Sequence, residues 1–179
     1  MLLKIYVNDP ELRQKYVEYI NEKVMPNLSS PYPDAGFDLF IPEKFVIDAF
    51  ENKKVDLGVK CAAFDKSGDP ISFYVYPRSS IGKTKVRLAN CVGIIDSGYR
   101  GCLGVMFDNI SNSGVVVEKG TRLVQICSPN LSPIHVEVVA SEDVLGSTQR
   151  GAGGFGSTGG TISGEAPVPP SPPSSSYYD

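Results

Sequence analysis

The chain has 179 residues, is 41% hydrophobic, and carries a net charge of −3 with a pI near 5.2. That length fits one compact domain plus a tail, and an acidic balance excludes broad electrostatic binding to nucleic acid or to an anionic membrane, although a small phosphate ligand needs only a few local cations. The four cysteines (Cys61, Cys91, Cys102 and Cys127) show no C-x-x-C spacing and His135 is the only histidine, which argues against a zinc cluster or a histidine-centred triad and fits a reducing, intracellular setting.

The opening Met1–Tyr6 is followed at once by charged residues and lacks the apolar stretch of a signal peptide. No run approaches the ~20 apolar residues of a membrane-spanning helix, so a soluble protein is expected. Residues 2–7 read as a short strand. Asp9 offers an N-cap, Pro10 a first helical position, and Leu12, Tyr16, Ile20 and Val24 recur at helical spacing until Pro26, where the helix is expected to stop. Residues 1–26 thus read as a strand-and-helix extension.

From Phe37 to Ala140, within a core domain set at 27–140, the pattern changes to short alternating runs broken by turns. Val55, Leu57, Val59 and Cys61 alternate with polar residues, the period of a half-buried strand. Asp65–Pro70 is a turn, residues 71–76 the next strand, and further strands fit 86–94, 102–110, 115–118, 122–127 and 135–140. Many short strands with regular turns predict a mostly β sandwich or jelly-roll barrel. Residues 141–149 read as a linker, the first part of a 141–160 arm whose glycine-rich portion, 150–160, has six glycines. Residues 161–179 are Pro/Ser-rich and expected to be disordered. Their proline run can dock on an aromatic groove of a protein partner, though a solvated tail is the plainer expectation.

Five segments carry candidate chemistry. Ala35–Leu39 holds Asp38, which alone reads as a solvated turn carboxylate. Pro77–Gly82 ends a strand with Arg78, Ser79 and Ser80, a set suited to phosphate oxygens. Gly93–Gly101 reads as a tight hairpin with three glycines. Asp96, fixed by such a turn, suits a general base for water, and Tyr99 offers a flat ring to a sugar. Gly120–Gln125 starts a strand on which Gln125 faces a pocket or solvent. Arg150 precedes a glycine-rich run with Phe155, Gly156, Ser157 and Thr158, whose glycines allow close approach to phosphates; it lacks the lysine of a P-loop.

Taken together, in this order and spacing, the five segments resemble the motifs of the trimeric dUTPases (deoxyuridine 5′-triphosphate nucleotidohydrolases) over residues 35–159. The resemblance implies a jelly-roll β-barrel, here with an N-terminal helix extension and a flexible glycine-rich arm. It implies a homotrimer whose sites are shared: one chain gives the first, second and fourth motifs, a neighbour the third, and a third chain the arm. The activity implied is hydrolysis of dUTP to dUMP and pyrophosphate, which supports dTTP synthesis and keeps uracil out of DNA.

Carried over by position, Asp96 activates the water that attacks the α-phosphorus. Asn90, Gly93 and Ile95 meet uracil, and Tyr99 packs on deoxyribose. Arg78, Ser79, Ser80 and Gln125 hold phosphates, Arg150, Ser157 and Thr158 grip the γ-phosphate, Phe155 stacks over uracil, and Gly156 is a further substrate-binding residue. Mg²⁺ is expected on the triphosphate, with no direct protein ligand and Asp38 touching its shell through water.

The sequence departs from the family pattern at Phe37, Thr121, Val124 and Cys102, none of them a catalytic position. A dCTP deaminase of the same fold is the nearest alternative; it needs a glutamate where this chain has Met106, and a methionine cannot shuttle protons. A non-enzymatic jelly-roll binding module is the alternative from another class.

Overall fold

A computed structural model describes residues 1–153. Eleven strands run in chain order: β1 (Leu2–Val7), β2 (Gly36–Phe40), β3 (Phe45–Ile47), β4 (Asn52–Phe64), β5 (Phe73–Pro77), β6 (Val86–Leu88), β7 (Gly93–Ile95), β8 (Cys102–Asn109), β9 (Val115–Val117), β10 (Arg122–Cys127) and β11 (His135–Val138). Between β1 and β2 lie the helices α1 (Pro10–Tyr19) and α2 (Met25–Leu28), joined by a π turn over Ile20–Val24. The mostly β class expected from the sequence is the class observed.

The strands form a five-stranded sheet in the order β11-β1-β4-β8-β6, a four-stranded sheet in the order β2-β10-β5-β7, and a β3-β9 pair. Every second residue of β1 and β8 is buried, and these meet residues of β2, β5 and β10 in one apolar core. Burying such side chains is the main source of stability, at about 25 cal/mol per Å² of apolar surface. β4 serves two neighbours: its first half pairs with β8 and its second half with β1. The register shifts between Asp56 and Lys60, around Gly58 at φ 69°, a bulge that bends the strand where only glycine sits without strain.

Residues 1–26, set apart in the sequence by their pattern, feed the same core. β1 lies between β11 and β4, and Leu12, Tyr16 and Ile20 are buried against it. Asp9 caps α1 as expected, its carboxylate accepting from the Leu12 N–H at 2.6 Å. Pro26 does not end the helical run, which continues to Leu28. A proline ring clashes with the carbonyl one α-turn back, and here the preceding turn is a π turn, wider than α, with the Met25 N–H bonded to the Ile20 carbonyl.

Three other expectations change. The strand expected over 86–94 is two strands in different sheets: β6 pairs with β8, and β7 with β5. Between them Cys91 takes φ 58° and its N–H bonds to the Leu88 carbonyl at 3.0 Å, a turn that hands the chain from one sheet to the other. For the same reason Gly93–Gly101 is not a hairpin with mutually paired arms, because β7 and β8 belong to different sheets. The expected linker 141–149 is anchored: Ser141 caps a short 3-10 turn over Glu142–Leu145, and Leu145 is buried with Ala62 and Val139.

Candidate active site

The third motif sits at the exit of β7. Phe73 on β5 stands opposite Ile95, so the next residue, Asp96, emerges at the N-terminal end of β5, where the Ser97 N–H donates to the Ser72 hydroxyl at 3.1 Å. A turn follows, closed by the Tyr99 N–H on the Asp96 carbonyl at 2.9 Å. Asn90, Gly93, Ile94, Ile95, Asp96, Tyr99, Gly104 and Arg150 line a cleft of about 190 Å³. Five predicted substrate contacts (Asn90, Gly93, Ile95, Tyr99 and Arg150) and the predicted base therefore converge, and β7 is the edge strand of its sheet.

Tyr99 is half-buried against the core, and its hydroxyl donates to the Cys102 carbonyl at 2.9 Å. Burial raises the phenol above its ordinary range, and the nearby Cys102 and Asp56 act in the same sense. The ring lies over Gly101, where any Cβ would overlap it; the glycine is there because the ring is. Cys102 donates its thiol to Asp56 at 2.7 Å, and burial, followed by that bond, pushes the thiol up to about 12. This departure from the family pattern is thus a protonated, hydrogen-bonded side chain.

Arg150 forms an ion pair with Asp96 of the same chain at 2.7 Å, with both side chains about half exposed. The segment that carries it is tied to the third motif by several further bonds. The Thr148 hydroxyl donates to the Gly98 carbonyl, and the Arg100 N–H to the Gly151 carbonyl at 2.8 Å. The Arg100 guanidinium donates to the carbonyls of Leu145 at 2.9 Å and Ser97 at 2.8 Å. Arg100 was not singled out from the sequence. Its signal is conformational, since it serves backbone carbonyls that only the folded turn brings together.

A second group forms at the other end of β5. Arg78, just past the strand, places its Nε 2.7 Å from Asp38 Oδ1, and the Arg122 guanidinium meets Asp38 Oδ2 at 3.0 Å. Asp38 is therefore not the solvated carboxylate of the plain reading. It is 7% exposed, and a buried carboxylate requires such partners. Arg78, Ser79 and Gln125 line a second cleft of about 670 Å³ with Gly36 and Tyr76, and Arg78 also donates to the Ser80 hydroxyl at 3.3 Å. Gly36 leaves room for the Gln125 amide, which any Cβ there would strike.

Arg122 was missed in the sequence. On a regular strand residues 122 and 125 face opposite sides, but the β2–β10 register shifts between Arg122 and Val124. Leu123 and Val124 are both buried, leaving Arg122 and Gln125 both partly exposed. The available signal was Asp38 itself, an acid within the apolar run of β2 that requires a cation.

Among the described residues no group of three or more His, Cys, Asp or Glu side chains is placed to hold a metal ion, and both Asp38 oxygens are already in ion pairs. The described residues do not fit a cation held by the protein's own ligands. Phe155, Gly156, Ser157 and Thr158 lie outside the described residues, as does the 161–179 tail. No described helix is long and apolar enough to cross a membrane.

Residues 21–159 match the model of the dUTPase family. The chain belongs to the dUTPase family. Among curated relatives, the deoxyuridine 5′-triphosphate nucleotidohydrolase of Clostridium kluyveri is 32% identical over 144 residues, covering 80% of this chain and 96% of that protein. The enzyme of the same name from Yarrowia lipolytica is 36% identical over 143 residues, covering 80% and 87%. A crystal structure of the dUTPase from Streptococcus mutans aligns with a TM-score of 0.46 at 30% identity, over 55% of this chain and 79% of that one. Within this dUTPase family member the two residue groups share no lining residue. Ser72 and Arg78, the residues that flank β5 at its two ends, are six positions apart, about 20 Å at ~3.3 Å per residue.

Proposed function

We propose that the protein is a dUTP diphosphatase, hydrolysing dUTP to dUMP and pyrophosphate. The observation that carries the reading is the cleft at the end of β7, where exposed backbone, a ring and a carboxylate converge. Uracil pairs with the backbone of Gly93–Ile95 and with Asn90, so that a closed edge leaves no room for a 5-methyl group. Deoxyribose lies on Tyr99, and a 2′-hydroxyl would strike the ring. Asp96 takes a proton from water; the water oxygen bonds to the α-phosphorus, and the bond from that phosphorus to the α,β-bridging oxygen breaks, releasing pyrophosphate.

The triphosphate is gripped by Arg78, Ser79, Ser80 and Gln125. Lying about 20 Å from Asp96 along β5, they serve the Asp96 cleft of a neighbouring copy, as a homotrimer with shared sites requires. Arg150, paired with Asp96 within one chain, gives up that partner for the γ-phosphate when substrate is bound. Phe155, Gly156, Ser157 and Thr158 complete the lid over uracil and phosphate. Mg²⁺ bound to the triphosphate, with no direct protein ligand, would neutralise part of its charge.

The test is pyrophosphate release from dUTP beside UTP, dTTP and dCTP, with ammonia release from dCTP followed in parallel. Selective cleavage of dUTP is expected. Ammonia release would instead favour the deaminase chemistry, for which Met106, two residues beyond Gly104 on the same face of β8, supplies no acid or base. Absence of turnover from the folded protein would leave a binding module.

A further inference from the structure

The N-terminal helix ends beside the phosphate-binding group. Tyr16 and Tyr19, three residues apart, share one face of α1, and that face lies on β2. Tyr16 contacts Phe37 at 5.8 Å and Phe40 at 5.0 Å between ring centroids, and Tyr19 contacts the same two rings at 5.8 and 5.3 Å. The Phe40 N–H donates to the Tyr16 hydroxyl at 3.0 Å, so the helix is bonded to the strand that carries Asp38. The π turn that widens the helix begins at the residue after Tyr19.

The Arg122 guanidinium lies 5.5 Å from the Tyr19 ring centroid and 6.0 Å from that of Phe40. A planar guanidinium packed against aromatic faces is attracted to them and loses freedom. The bulge that turns Arg122 outward beside Gln125 points it into this aromatic corner. Its other contact is Asp38, and the opposite oxygen of Asp38 holds Arg78. The three charged groups form one line, and Tyr19 closes its end. Burial raises the Tyr19 phenol above its ordinary range and the Asp38 charge acts in the same sense, while the Arg122 charge and a hydrogen bond with Arg122 act against them; the ring faces Arg122 as a neutral phenol.

We propose that Tyr19 is a positioning residue for the triphosphate: with Phe40 it fixes Arg122, Arg122 fixes Asp38, and Asp38 aims Arg78. This rests on the dUTP reading of the site, and it gives the helix a role in catalysis through residues other than itself. Tyr19 lies outside the segment that matches the family, so the device is built onto the shared core.

The test compares Tyr19→Leu, Tyr19→Phe and Arg122→Lys with the wild-type protein. Calorimetry gives the affinity for dUMP and for the non-hydrolysable α,β-imido-dUTP, and steady-state assays give kcat and KM for dUTP. Tyr19→Leu is expected to reduce the affinity gained from the β- and γ-phosphates by about 3- to 30-fold, the range of a partly desolvated cation–π contact, with dUMP affinity unchanged. Tyr19→Phe keeps the ring and should restore the gain. Arg122→Lys keeps the charge without the planar fork and should lose it, so the idea stays testable if Tyr19→Leu does not fold. Equal weakening of dUMP and the triphosphate analogue would reduce Tyr19 to a packing residue and overturn the proposal, as would an undiminished gain in Tyr19→Leu. If the wild-type protein neither cleaves nor binds dUTP, the substrate reading fails and this proposal fails with it; if the wild type is selective and only the variants disagree, this proposal fails alone.

Discussion

Asp38→Asn changes charge and almost nothing else. Both Asp38 oxygens are committed, one to Arg78 at 2.7 Å and one to Arg122 at 3.0 Å, and its side chain is only 9% exposed. Asparagine has the same shape, so no cavity opens, but one of its oxygens becomes an NH₂ group that must face a guanidinium as a second donor. Removing one partner from a fully buried ion pair costs about 3–5 kcal/mol. Here the arginine side chains are 27% and 38% exposed, so water recovers part of the loss and the cost falls to about 1.5–3 kcal/mol. For a chain of this size that lowers Tm by about 3–12 °C. Melts followed by circular dichroism must be run at one protein concentration, because any subunit association would make Tm concentration-dependent. The deficit should persist in 1 M salt, about 3 Å of Debye length, because a buried pair is poorly screened. A Tm equal to or above that of the wild type, or a deficit that vanishes in high salt, would refute the claim that Asp38 is a buried organiser of the two arginines.

Other perturbations separate the remaining roles. Asp96→Asn should retain α,β-imido-dUTP binding while kcat falls by about 10²- to 10⁴-fold, the scale of general-base catalysis; a wild-type rate removes Asp96 from that role. Gly101→Ala displaces the Tyr99 ring and should erode the preference for dUTP over UTP, read from the ratio of kcat/KM values. Cys102 holds its proton to about 12 against an ordinary thiol value of 9.0. Its contribution to stability is therefore complete below pH 9 and lost as pH rises toward 12, and urea midpoints across that window should fall less in Cys102→Ser than in the wild type. At neutral pH a thiol reagent should find one fast cysteine, the exposed Cys91, and Cys91→Ser should abolish the fast phase. Cys61 and Cys127 are buried and, like Cys102, have raised pKa values.

What was legible in the sequence was local. The alternation in β4 and β8, the Asp9 cap and the identity of the five segments all depend on residues a few positions apart. What was not legible depends on which strands become neighbours. The switch between sheets at Cys91 rests on a backbone conformation that neither the residue type nor its hydropathy announces. Arg122 became visible only through a bulge defined by pairing with β2, and Arg100 only through carbonyls up to 46 residues away. Asp38 was visible as a residue and misread in character, because a solvated and a buried aspartate have the same letter and differ in their partners.

The order of the motifs along the chain conceals their division in space, and β5 is where that division is made. One strand carries Arg78 just past its C-terminal end and pairs through Phe73, at its N-terminal end, with the strand that leads into Asp96. The two residue groups thus sit at opposite ends of β5, about 20 Å apart, whereas in the proposed reaction a triphosphate must reach both within a few ångströms. No side-chain rearrangement in a single copy closes that gap, and bending β5 would break its pairing with β10 on one side and β7 on the other. A second copy that places its Arg78 group against the Asp96 cleft closes it without distorting either sheet. On that reasoning activity should depend on assembly more steeply than folding does: dilution into dissociated subunits should abolish dUTP cleavage before β-sheet circular dichroism is lost, and a fully active monomer would overturn the division of labour assigned to β5.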